Sequence, residues 1–146
     1  MLLGAGAAII SVMIFQQGMW ALLHVLAIPE LTMPPPYPTD PVPPFGVPRI
    51  FSLCFWGGLW GAVFGLVWRG PKSSYWFGGF WLGVATVLVT FFVVLPLKGL
   101  PAGGGSFLNW LRALLINCSW GLGVGGLLTN LLGDEAPPED AYTRYR

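Results

Sequence analysis

The chain has 146 residues, a net charge of +1, a composition that is 55% hydrophobic and only 9% charged, and a mean hydropathy of +0.69. Soluble domains carry roughly a quarter of their residues as charges, so this composition excludes an ordinary water-soluble globule. The near-neutral balance gives no basis for nucleic acid or an acidic substrate as partner.

All seven Lys and Arg and all six Asp and Glu fall outside four long apolar runs, which makes the lipid bilayer the first expected partner. The runs extend from Met1 to Ile28, Ile50 to Trp68, Ser73 to Leu97 and Ala113 to Gly133. Each approaches the roughly 20 residues needed to cross about 30 Å of hydrocarbon at about 1.5 Å per residue. They lack the period-two alternation of a membrane barrel, and an open sheet would strand backbone polar groups in lipid. The expected fold is therefore all-α, a four-transmembrane-helix bundle. Its helices are expected over about 4–28, 50–68, 75–97 and 110–132, in a transmembrane domain 1–133 with a Pro-rich outer loop at 29–49 and a polar C-terminal tail at 134–146.

The first run has no basic residue ahead of it, exceeds the usual h-region of about 7–15 residues, and contains Gln16, Gln17 and His24, so it reads as a retained helix and not a signal peptide. His24 is the chain's one histidine. A neutral imidazole bonded to a carbonyl or water is the expected role, with axial ligation of haem or a chlorophyll-type pigment as the alternative; no cofactor is expected.

Nine of the 14 prolines lie between Pro29 and Pro48, a density that favours extended polyproline-like backbone and argues against both helix and sheet. The interleaved Leu31, Met33, Tyr37, Val42, Phe45 and Val47 predict a stiff lid over the ends of the bundle, the alternative being a docking strap for a partner subunit.

The second run, FWGGLWGAVFGLVWRG, places Gly57, Gly61 and Gly65 at every fourth residue, one stripe of a helix. Small residues at this spacing let helix backbones approach closely in lipid. Gly79 with Gly83, and Gly121 with Gly125, repeat the spacing, so these seven glycines are expected at helix-packing seams, inside the bundle or between copies of a homo-oligomer. Cys54, Trp56, Gly57 and Gly61 recur as Cys118, Trp120, Gly121 and Gly125 at one uniform displacement. That suggests a tandem duplication of a two-helix unit with both units in the same orientation.

Gln16, Gln17, Asn109, Asn117 and Asn130 are expected to hydrogen-bond between helices. Cys54 and Cys118, on one side of the bundle and within reach of each other, are expected to be inert buried thiols. Two Cys and one His make a poor metal set, and Gly103 to Gly105 lack the Lys of a phosphate loop. No catalytic or metal residue is assigned, and no enzyme is expected. Arg69, Lys72, Arg144 and Arg146 on one side outnumber Arg49, Lys98 and Arg112 on the other, which places both termini in the cytoplasm.

The stretches PPFGVP and FWGGLWG resemble those of small four-helix inner-membrane proteins of bacteria with no assigned activity, a likeness running from Gly18 through the fourth helix. The resemblance implies a bacterial inner membrane and adds no ligand or catalytic residue. The function expected is a non-catalytic scaffold or accessory subunit of a membrane complex; the alternative is a small-solute transporter or channel acting as a homo-oligomer.

Overall fold

The computed structural model describes residues 1–68 and 74–132. Arg69, Lys72, Arg144 and Arg146, on which the expected orientation leans, and the tail 134–146 lie outside the described residues. Four helices are long and apolar enough to cross a membrane: α1 (Leu2–Leu26), α2 (Arg49–Val67), α3 (Tyr75–Leu97) and α4 (Phe107–Leu131).

Local chemistry sets the helix ends. α1 stops at Leu26 because Ala27 adopts a left-handed conformation (φ 48°) and Ile28 precedes a proline. α4 begins three residues before the expected position because Ser106 caps it, its Oγ accepting the Asn109 N–H at 3.3 Å.

Two helices carry a wide π turn, Val12–Gln16 in α1 and Thr90–Val94 in α3. Pro96, which lacks an N–H and crowds the carbonyl four residues back, gives α3 a reason to loosen there. Donors from outside the helix reach the carbonyls of both turns. Met13 O accepts the Tyr37 hydroxyl (2.9 Å), Phe15 O accepts the Ser119 hydroxyl (3.2 Å), and Phe91 O accepts the Gly103 N–H (3.0 Å). Such partners are what irregular backbone at membrane depth requires.

α1 packs against both α2 and α4, and α3 packs against α4, giving the spatial order α2, α1, α4, α3. α2 and α3 meet at one end, where Phe64 and Trp68 cover Gly78 and Phe64 lies edge-on to Tyr75. Glycines line two of the seams. A Cβ on Gly61 would overlap the Ala8 side chain and the Gly4 carbonyl, while one on Gly57 would fall 2.7 Å from Val12 Cγ2 and one on Gly65 3.4 Å from Gly4 Cα. In the second seam a Cβ on Gly79 would overlap the Gly121 carbonyl, one on Gly83 would fall 2.7 Å from Cys118 Cα, and one on Gly125 2.8 Å from the Tyr75 carbonyl carbon.

The α1–α4 contact between these seams is tied by reciprocal bonds: Ser11 Oγ donates to Trp120 O (2.5 Å), and Trp120 Nε1 donates to Ala8 O (3.1 Å). Ala7, Ala8, Val12, Trp120 and Val124 form the core around them.

The Pro-rich segment differs from expectation twice. It contains a two-residue antiparallel ladder, β1 (Pro41–Val42) with β2 (Val47–Pro48). Prolines are tolerated because Pro41 faces Pro48, while the flanking bonds run from Gly46 N–H to Val42 O and from Arg49 N–H to Asp40 O. The ladder therefore asks for no N–H where neither residue has one. The segment also lies along the flank of α1 instead of over the bundle ends. His24 Nδ1–H donates to Met33 O (2.8 Å), Trp20 Nε1–H to Pro34 O (2.7 Å), and Tyr37 N–H to Gln17 Oε1 (2.6 Å).

His24 and Trp20 thus donate to strap carbonyls and Gln17 accepts a strap N–H, all from one face of α1. Leu31 of the strap is buried with Leu23 and Ile116, and Asp40 pairs with Arg49 at the start of α2.

Candidate functional site

Midway along the bundle the helices part around a cavity of about 110 Å³. α1 contributes Val12 and Gln16, α2 Leu53, Gly57 and Trp60, α3 Thr86 and Thr90, and α4 Asn117 and Trp120. Each group lies near the middle of its helix. The seams account for the gap: one draws α2 to α1, the other draws α3 to α4, and α2 and α3 are held apart between them. The cavity is far larger than the roughly 10–15 Å³ a single water requires.

Its polar lining consists of the Gln16 and Asn117 amides, the Thr86 and Thr90 hydroxyls and the indoles of Trp60 and Trp120, so it holds both donors and acceptors. Gln16 is 7% exposed, and its Oε1 is enclosed without a hydrogen-bond partner. Thr86 Oγ1 donates to Gly83 O and Thr90 Oγ1 to Thr86 O, both at 2.7 Å, and Asn117 Nδ2 donates to Ala113 O at 2.9 Å. These hydrogens are spent on carbonyls three or four residues back in the same helix. The indole N–H of Trp120 is committed to Ala8. Asn117 keeps a second amide hydrogen, Gln16 Oε1 is closed off by its burial, and the contact between Thr86 Oγ1 and Asn117 Oδ1 is long, at 3.3 Å.

A neutral polar guest loses little on entering if these side chains replace its hydrogen bonds to water. An ion fares worse. Removing it from water costs several kcal/mol, whereas a ring such as Trp60 or Trp120 returns about 0.5–2 kcal/mol through cation–π attraction, and none of the lining residues carries an opposing charge.

The residues singled out from sequence are distributed differently. Gln16 and Asn117 both line the cavity, and of the five amides only Asn117 has a side-chain contact to another membrane helix among the described residues, the long one to Thr86. Gln17 holds the strap, Asn109 bonds Gly104 O and Arg112, and Asn130 bonds Gly126 O in its own helix. An amide one turn beyond a carbonyl of its own helix satisfies itself locally, which spacing along the chain does not reveal. His24 is exposed and bound to the strap, so its Nδ1 carries the proton. Cys54 Sγ lies 3.8 Å from Met13 Sδ, while Cys118 lines a separate apolar groove; both thiols are free.

Thr86 and Thr90 belong to the site although neither stands among the residues singled out from sequence. Their signal is two hydroxyls one helical turn apart in an otherwise apolar run. Gly4 and Ala8, which receive the α2 seam, are likewise a small pair at the seam spacing. The apolar groove, of about 430 Å³, opens between α1, α3 and α4 and is lined by Met19, Phe80, Leu111, Leu115 and Leu122 among others.

The fold and site thus describe a four-helix bundle of membrane-spanning length with a partly open pocket of mixed polar and apolar lining midway along it. Compared with protein-family models, curated proteins and solved structures, the chain matches none.

Proposed function

We propose that this chain is a non-enzymatic membrane protein that binds a small solute inside the bundle and passes it across the bilayer. One observation carries the reading: a pocket midway along all four helices that gathers the polar side chains Gln16, Thr86, Thr90 and Asn117. Polar groups at that depth are costly unless used, and solute sites of membrane carriers lie near the midplane beside irregular helix. The π turns of α1 and α3 adjoin the cavity, since Gln16 closes one and Thr90 opens the other. All of the cavity's lining residues come from one chain, and it is open on the side of the exposed Thr90. The seven seam glycines, Gly57, Gly61, Gly65, Gly79, Gly83, Gly121 and Gly125, are assigned to helix packing.

The test is solute flux into vesicles of phosphatidylethanolamine and phosphatidylglycerol containing the purified protein, with water, urea, glycerol and potassium ion as the panel. Protein-dependent flux of at least one member is expected; rates equal to protein-free vesicles for every member would overturn the proposal.

A second reading, an accessory subunit of a membrane complex, is favoured by the apolar groove, whose width between α1, α3 and α4 suits a partner helix. Recovery of one stoichiometric partner by native mass spectrometry, lost when Leu115→Trp fills the groove, would favour it.

The proposed location is a bacterial inner membrane with both termini cytoplasmic. With Cys54 and Cys118 replaced by alanine, cysteines at the exposed Thr39 and Ala102 should both react with an impermeant thiol reagent in intact cells. Labelling of either only after permeabilisation would reverse the orientation or break the topology.

A further inference from the structure

We propose that the apolar groove between α1, α3 and α4 holds one phospholipid with a primary-ammonium headgroup, of the phosphatidylethanolamine class: its phosphate on Arg112, its ammonium on Glu30 and one acyl chain along the groove. The inference needs the bundle to lie in a membrane and is independent of solute passage through the central cavity. Met19 of α1, Phe80 of α3 and Leu111, Leu115, Ser119 and Leu122 of α4 wall the groove. The Ser119 hydroxyl is spent on Phe15 O, so the wall offers a guest dispersion contacts and little else.

Two opposite charges stand at one end of it. Arg112 shares a helix face with Leu115 and Ser119. It is also the last charge before the charge-free run Ala113 to Gly133, which puts it at headgroup level. From Arg112 to Leu122 α4 rises about 15 Å at about 1.5 Å per residue, the depth of one leaflet in a hydrocarbon core of about 30 Å. Leu31, the neighbour of Glu30, is buried in a cluster against which Met19, Leu111 and Leu115 pack, so Glu30 lies at the same end of the groove.

Neither charge is neutralised: among the described residues the one ion pair is that of Arg49 with Asp40. Arg112 Nη1 donates to the Glu30 backbone carbonyl at 3.3 Å and Nη2 to Asn109 Oδ1 at 2.6 Å, and Asn109 is itself anchored to Gly104 O. The guanidinium is thus positioned by two neutral acceptors and keeps N–H donors for a phosphate. Glu30 is exposed. A cation and an anion side by side at the lipid boundary match a zwitterionic head whose phosphate accepts from Arg112 and whose ammonium donates to Glu30. An anionic lipid would answer Arg112 alone, and a quaternary ammonium brings no N–H for the carboxylate. A helix laid in the groove would answer the apolar wall and leave both charges unmet.

The experiment offers the purified protein, in mild detergent, an equimolar mixture of phosphatidylethanolamine, phosphatidylglycerol and phosphatidylcholine with matched chains, and counts the lipids retained by native mass spectrometry. Wild type should keep one phosphatidylethanolamine per chain, about tenfold over either competitor, the factor that accompanies one charge-assisted hydrogen bond. Glu30→Gln leaves the backbone carbonyl bonded to Arg112 and should erase that preference. Arg112→Gln should lower retention of all three lipids, and Leu115→Trp should do the same by filling the groove; melting temperatures in detergent control for folding, and the exposed Glu30→Gln decides the matter where another variant does not fold. Equal retention of the three lipids by wild type, or a preference that survives Glu30→Gln, would overturn the proposal. So would retention untouched by Leu115→Trp, which would put the lipid elsewhere, or a stoichiometric polypeptide bound in the lipid's place.

Discussion

Replacing Gly83 by leucine is expected to keep α3 and α4 from closing and to leave little folded protein in detergent. At that position the obstacle is backbone: a Cβ alone would already fall 2.7 Å from Cys118 Cα and 2.8 Å from the Asn117 carbonyl carbon. Neither atom can move without shifting α4, so the whole leucine must be accommodated by parting the helices. Overpacking commonly costs about 1–3 kcal/mol and more where nothing yields. Gly61→Leu should be nearly as severe, since Ala8 and the Gly4 carbonyl block it. Gly57→Leu should be milder than either, because its first obstacle is the Val12 side chain. Leu59→Ala, on the lipid-facing side of α2, should change the melting temperature little. The measurement is thermal unfolding in detergent together with particle size. Equal tolerance of Gly83→Leu and Leu59→Ala would refute the packing assignment. A Gly61→Leu protein that stays folded but falls from oligomer to monomer would move the α2 seam to a contact between copies.

How far the sequence carries depends on whether a feature is periodic or reciprocal. The four membrane-length helices are legible because charges stop where lipid begins, and the every-fourth-residue glycines are legible because a helix turns that spacing into a stripe. What each stripe faces is not. The α2 glycines meet Gly4 and Ala8 of α1, the α3 glycines meet those of α4, and nothing local to either stretch names its partner.

The strap shows the same limit. Its composition argues for extended backbone, but its position follows from Gln17, Trp20 and His24 sharing one face of α1, where each bonds a strap backbone group. The cavity is the hardest feature to foresee. Gln16 stands next to Gln17 in sequence, yet one side chain lines the pocket while the other accepts the Tyr37 N–H. The π turn that Gln16 closes alters the facing of the residues around it, and its cause in α1 has no counterpart to Pro96 in α3.

Trp120→Ala is expected to cost far more than Trp56→Ala, although the two residues occupy the same place in the recurring pattern of Cys, Trp and glycine. Trp120 is 2% exposed at the α1–α4 crossing, where its indole N–H binds Ala8 O and its backbone carbonyl accepts the Ser11 hydroxyl; Trp56 is 55% exposed on the outer side of α2. Lipid can fill most of the space that truncation opens at Trp56, so that substitution should stay within about 0.5 kcal/mol. At Trp120 truncation opens a void at the α1–α4 crossing and removes the indole donor to Ala8 O, which keeps only its backbone partner Val12 N–H, a loss of about 3 kcal/mol by the usual cost of a large-to-small core change. Because Trp120 also walls the central cavity, the void should merge with it and speed passage of larger neutral solutes such as glycerol in whatever fraction of the variant stays folded. Trp120→Phe separates the two effects: it keeps most of the volume and removes the N–H, so stability should fall by about 1 kcal/mol while glycerol passage stays near the wild-type rate. Matching losses of stability in Trp56→Ala and Trp120→Ala would mean that α2 is as enclosed as α4, and the order α2, α1, α4, α3 would then have to be abandoned for a closed four-helix square.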